Sequence, residues 1–144
     1  MCAQIADGGT KVNLGAHGQL QGLGAHWELW MLTQGGMTPL QAIRCATMNG
    51  ASYLGMDRDI GSLEQGKLAD LIVLNANPLV DIRNSEKIKY VMVNGRLYDA
   101  NSMNEIGNRE KPRLRFWWQL NRGDMGSAPV GNNETWLYTS QDGD

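Results

Sequence analysis

Apolar residues recur along this chain with two different periods, and the change falls near Gly61. Before it the spacing is helical. Thr38 can cap a helix, Pro39 suits the first helical position, and Gln41 is placed to close a capping box. Leu40, Ile43, Ala46 and Thr47 follow at helical spacing, which predicts one helix running to about Tyr53-Leu54-Gly55. Ala25–Gln34 predicts another, closed by Gly35-Gly36, with Trp27, Trp30 and Met31 expected in the core. Met1–Ala6 reads as the tail of an amphipathic helix that stops at Asp7-Gly8-Gly9. Thr10–Leu14 reads as a short strand with Val12 and Leu14 on one face. A loop with four glycines, Gly15–Gly24, connects it to the next helix.

After Gly61 the period becomes that of strands. A turn-rich lead, Gly61–Gly66, runs into Leu71–Leu74, a continuous aliphatic run of the kind found in buried strands. Pro78–Ile82 reads as an irregular connection. Ile88–Tyr98 predicts a hairpin, because Asn94-Gly95 between apolar runs suits a type I′ turn, which needs positive φ twice. Asp70 is expected to satisfy backbone N–H groups at the strand entry. Further on, Asn101–Gly107 suggests a helical turn and Pro112 breaks the basic run Arg109–Arg115. Phe116-Trp117-Trp118, a Gly- and Asn-rich stretch over 123–133 and the island Trp136-Leu137-Tyr138 complete an extended aromatic arm. The reading is a mixed α/β chain in three segments: 1–60, 61–100 and 101–144.

A net charge of −2 gives no electrostatic ground for a nucleic acid or an anionic membrane as partner. The basic run beside Phe116-Trp117-Trp118 is accordingly read as an arm docking on protein. Two cysteines are too few for a disulfide framework, and Cys45 is expected to be an inert, buried small hydrophobe. The start, MCAQIADGGTKVNLG, shows no signal peptide, and no run reaches the roughly 18 apolar residues of a membrane span. A cytoplasmic location is the default. The Gly15–Gly24 loop lacks both phosphate-binding glycine frames, so it is read as a flexible loop over an active site. Glu28 reads as part of a solvated helix face. His17 reads either as a base or metal-facing group or as a loop histidine bonded to backbone. His26 reads as a packing or capping imidazole at a helix start, with pocket lining as the alternative.

Taken in order, VNLGAHGQ, the apolar helix, GGMTPLQAIRCATMNGASYLG, IGSLEQGKLADLIVLNANPL and VMVNGRLYD are specific. Through them Ala6–Asp99 resembles the C-terminal end of a metal-dependent amidohydrolase of the imidazolonepropionase- and dihydroorotase-like superfamily. The resemblance implies that Val12–Leu14 is the last strand of a TIM-like barrel and that the Ala25–Gln34 helix follows it. It also implies that Leu71–Leu74 and Ile88–Tyr98 belong to a small composite β-sandwich. The family's His-x-His, its middle Lys or Glu and its later histidines have no counterpart in a chain with two histidines. His17 stands about where the family carries a metal-contacting Asp. The resemblance therefore implies His17 as catalytic residue and candidate metal ligand, and His26 and Gln19 as substrate-binding residues.

For the parent enzyme the resemblance implies a divalent metal, with zinc expected, and a small-molecule substrate cleaved at a non-peptide C–N bond. The isolated chain is expected to hold no catalytic metal and to be inactive. A homo-oligomer is expected, and a non-catalytic assembly module is the alternative reading.

Overall fold

The computed structural model describes residues 2–17 and 20–119. The chain divides into two compact units, Met1–Arg113 and Leu114–Asp144. The expected glycine-rich stretch at 123–133 and the Trp136–Tyr138 island lie outside the described residues. In the second unit, a 3₁₀ turn spans Trp117–Gln119, and the Phe116 and Trp118 rings stack with centroids 4.4 Å apart.

The first unit opens with four short helices: α1 (Cys2–Asp7), α2 (Leu23–Gln34), α3 (Pro39–Cys45) and α4 (Met48–Tyr53). α1 ends where the glycines predict, with Gly9 at φ +84°. The capping box of α3 forms as expected. The Thr38 N–H donates to Gln41 Oε1 at 2.8 Å, and Thr38 Oγ1 accepts from the Gln41 N–H at 3.3 Å. The core gathers Leu29, Leu32, Met37, Ala42 and the expected Cys45, and Ile82 joins them from much further along the chain.

Three sequence expectations change here. The single helix from Thr38 to Tyr53 is two helices, because Thr47 leaves helical geometry at φ −132°, ψ −95°. Its hydroxyl bonds back to the Ile43 carbonyl at 2.8 Å, a competition with helix hydrogen bonding that short polar side chains are prone to. Just beyond, Asn49 Nδ2 reaches across to the Val12 carbonyl at 2.9 Å. Secondly, Thr10–Leu14 is extended but is not a strand. Its backbone is bonded to the helices through that Val12 carbonyl and through the Leu14 N–H, which donates to the Cys45 carbonyl at 3.0 Å, and no strand among the described residues lies beside it. Thirdly, Trp27 is 42% and Met31 66% exposed, because α2 turns Leu29 and Leu32 to the core and this pair to its opposite face.

The sheet follows in the order β1 (Leu71–Leu74), β2 (Ile88–Val93), β3 (Arg96–Asp99), β4 (Glu105–Ile106), antiparallel throughout. Asn94 (φ 48°) and Gly95 (φ 76°) form the type I′ turn. Asp70 Oδ1 accepts from the Asn94 N–H at 2.6 Å, the backbone role expected of it, and so ties the entry of β1 to this turn. The expected helical turn at Asn101–Gly107 is instead a tight turn leading into β4. Asp99 Oδ1 accepts from both the Ser102 N–H and hydroxyl at 2.8 Å, and these bonds hold its carboxyl below the usual range. Arg96 pairs with the buried Glu105 through both carboxylate oxygens and lowers that carboxyl too. Before β1, Lys67 Nζ closes the glycine-rich lead by donating to the Asp57 carbonyl and to Ser62 Oγ, each at 2.6 Å.

In the connection between β1 and β2, the stretch from Pro78 is irregular as expected and leads into a 3₁₀ helix, Ile82–Glu86. Asp81 Oδ1 caps it by accepting from the Arg83 N–H at 2.9 Å.

Gly61 sits at φ +91°, where a Cβ would come within 2.6 Å of Ala51 Cβ. Gly61→Ala is therefore expected to cost at least about 2 kcal/mol through overpacking and left-handed strain. Nothing lies within 4 Å of a Cβ at Gly50, inside α4. Gly50→Ala should stabilise by about 0.5–1 kcal/mol, and chemical denaturation of the two variants should give opposite signs.

Candidate functional site

The chemistry-bearing residues of the first segment lie along α2 and the loop that leads into it. The chain leaves the core at Leu14. The next N–H, of Gly15, donates to Glu28 Oε1 at 2.9 Å, so Glu28 anchors the loop's first residue to the side of α2. Sequence reading placed Glu28 on a solvated face; it is half-buried and bonded. The return is set by Gly22 at φ +82° and by the Gly24 N–H, which donates to the Leu20 carbonyl at 2.8 Å. Between anchor and return, Ala16 and His17 are exposed. Gln19 lies outside the described residues.

His26 sits differently. It is half-buried in the first turns of α2, and its Nδ1 lies 3.1 Å from Ser85 Oγ. Trp30, one turn along, donates its indole N–H to the same oxygen at 3.2 Å. The Arg83 guanidinium carbon stands 5.0 Å from the centroid of the Trp30 ring, within cation–π range. The 3₁₀ helix supplies this arrangement by its own geometry. Residues three apart eclipse one another in such a helix, so Ile82 and Ser85 face the same way. Ile82 enters the core, and Ser85, 5% exposed, meets His26 and Trp30. Ser85 was not legible as a site residue, and the one local signal was the Asp81 cap that starts its turn.

The structure thus brings His26, Trp30 and Ser85 together, and Gly15 with Glu28, while His17 stands on the exposed part of the loop. Among the described residues, no group of three or more His, Cys, Asp or Glu side chains could hold a metal ion. The donor set among the described residues does not fit a catalytic metal. An open depression of about 570 Å³ runs along β1 and the turn after it, from Leu71 to Pro78 with Leu63, and neither histidine lines it. One buried acceptor near the loop, Asn13 Oδ1, has no hydrogen-bond partner among the described residues.

The fold is a helical layer joined through a capped turn to an antiparallel sheet. The model of the amidohydrolase family matches residues 4–98. The chain belongs to the amidohydrolase family. Among its relatives, the imidazolonepropionase of Symbiobacterium thermophilum is 48% identical over 40 residues, covering 28% of this chain and 9% of that one. The ochratoxinase of Aspergillus niger is 39% identical over 69 residues, covering 45% and 14%. A crystal structure of a Xaa-Pro dipeptidase with methionine bound in its active site superposes with a TM-score of 0.62 at 34% identity, over 69% of this chain and 25% of that one. The chain therefore spans a quarter or less of these amidohydrolase relatives. Members of the family hydrolyse C–N bonds and generally bind divalent metals.

Proposed function

We propose that these residues form the C-terminal part of a metal-dependent amidohydrolase that hydrolyses a C–N bond in a small molecule. The observation that carries this reading is the family match over 4–98 in a chain that spans a quarter or less of each relative named above. On this reading Val12–Leu14 occupies the place of the last barrel strand, α2 is the helix after it, and β1–β3 are strands of the composite sandwich. A segment that finds no ladder partner among the described residues suits a strand paired within a barrel.

The metal's ligands would come from the parent enzyme beyond these residues, with zinc as the expected ion. His17 would stand at the mouth of the barrel, where imidazole is a competent base near neutral pH. His26 and Gln19 would meet the substrate. The substrate class is kept at the level of the C–N bond. A relative that acts on Xaa-Pro dipeptides removes the ground for excluding peptide bonds. The 144-residue chain by itself is expected to bind no catalytic metal and to turn over nothing. Elemental analysis of the purified, metal-supplemented chain should find far less than one zinc or iron per molecule. A stoichiometric ion would overturn that expectation.

A second reading, assembly, is favoured by one feature. Leu20, Leu23, Trp27 and Met31 recur at three- and four-residue spacing along one face of α2 and the turn before it, and all four are exposed. A helix apolar on both faces is one that is covered on both. Homo-oligomer formation through this face is the expected outcome of light scattering on the isolated chain. A monomer at all concentrations would count against it.

A further inference from the structure

Ser85 has no part in the reading above, yet its surroundings constrain it tightly. Its Oγ is approached by two nitrogens, Trp30 Nε1 at 3.2 Å and His26 Nδ1 at 3.1 Å. An indole N–H can only donate, so Oγ accepts from Trp30. The serine also carries a proton of its own, and at 5% exposure that proton needs an acceptor inside the protein. Among the described residues the acceptor available to it is His26 Nδ1. A neutral imidazole has one nitrogen that donates and one that accepts, and the bond made by one fixes the role of the other. With Nδ1 accepting from Ser85, the ring proton must sit on Nε2.

We propose that Ser85 is a positioning residue for His26: its hydroxyl, oriented by the Trp30 indole, locks the neutral imidazole as the Nε2–H tautomer, so that His26 offers a hydrogen-bond donor to a carbonyl or carboxylate oxygen of the substrate. The oxygen-facing role rests on the reading of His26 as a substrate-binding residue; the tautomer lock does not. Two further contacts keep the serine in place. Ile82, on the same side of the 3₁₀ helix, is held in the helical core, and Arg83 covers the Trp30 ring. The consequence is that the sheet side of the molecule sets the hydrogen-bonding polarity of a residue on the helical side. Ser85 thereby selects for acceptor groups over donor groups at His26.

The test is a long-range ¹H–¹⁵N correlation spectrum of the imidazoles in the full, ¹⁵N-labelled chain, taken well above the ordinary imidazole pKa of about 6.5. His17, exposed on its loop, serves as internal reference for an unconstrained ring, and His17→Gln assigns the two sets of signals. His26 should show a hydrogen-bonded acceptor at Nδ1 and a proton at Nε2, with less tautomer averaging than His17. Ser85→Ala should bring the ring toward the tautomer averaging of His17, with the His26 Nδ1 and Nε2 signals moving closer together. Ser85→Thr, which keeps the hydroxyl, should retain the wild-type pattern. A proton on Nδ1 in the wild type would overturn the proposal, as would identical His26 signals in wild type and Ser85→Ala. Should Ser85→Ala fail to fold, the wild-type spectrum and Ser85→Thr still decide it. No substrate enters this measurement, so its failure overturns the Ser85 assignment alone. A His26 that never meets substrate would leave the spectrum as described and sink only the substrate-binding reading.

Discussion

One docking contact joins the helical and sheet parts of the first compact unit. Ile82, held in a 3₁₀ turn between two strands, packs among Leu29, Leu32 and Cys45 of the helices. One eclipsed position later Ser85 meets the edge of α2 at His26 and Trp30. The apolar contact supplies the energy of attachment, since burying an isoleucine side chain is worth roughly 1.5–3 kcal/mol. The hydroxyl contact supplies direction, because a buried donor left unpaired costs about as much as several good contacts return. Without this turn, the sheet would connect to the helices through the Gly61–Leu68 lead.

Seen from that contact, the parts fall into a consistent arrangement. The Thr38 capping box and Gly61 fix α3 and α4 around the core that receives Ile82. Asp70 fixes the entry of β1 to the Asn94-Gly95 turn, and the pairing of β1 with β2 then holds its register as far as Val73 and shifts at Leu74, just before the connection that carries the docking turn. On the other side of α2, Glu28 holds the first residue of the His17 loop. The same helix therefore carries the anchor of the loop and the receptor for the sheet. α2 is thus the junction between the loop and the sheet.

What could be read from the sequence was whatever local chemistry decides. The capping box, the type I′ turn, the glycine stop of α1 and the backbone role of Asp70 each depend on residues within a few positions or on one nearby turn. Several of the readings that failed needed distant partners. Thr10–Leu14 has the alternation of a strand, but a strand exists only beside another, and the described residues supply none. Trp27 and Met31 are hydrophobic enough for a core, yet Leu29 and Leu32 face it, and nothing in periodicity ranks two apolar faces of one helix. Thr47 breaks a helix that its neighbours would continue. Ser85 lies 59 residues from His26, and no pattern in either neighbourhood announces their meeting.

The central claim is that Ile82 couples the helices and the sheet into one cooperative unit, and hydrogen exchange on Ile82→Ala tests it most directly. Truncating this side chain should destabilise by about 2–5 kcal/mol, as large-to-small core substitutions do. If the docking turn couples the two parts, amides in α2 and in β2 should lose protection together and by the same factor. Loss confined to the Ile82–Glu86 turn, with α2 and β2 still exchanging as in the wild type, would contradict the account.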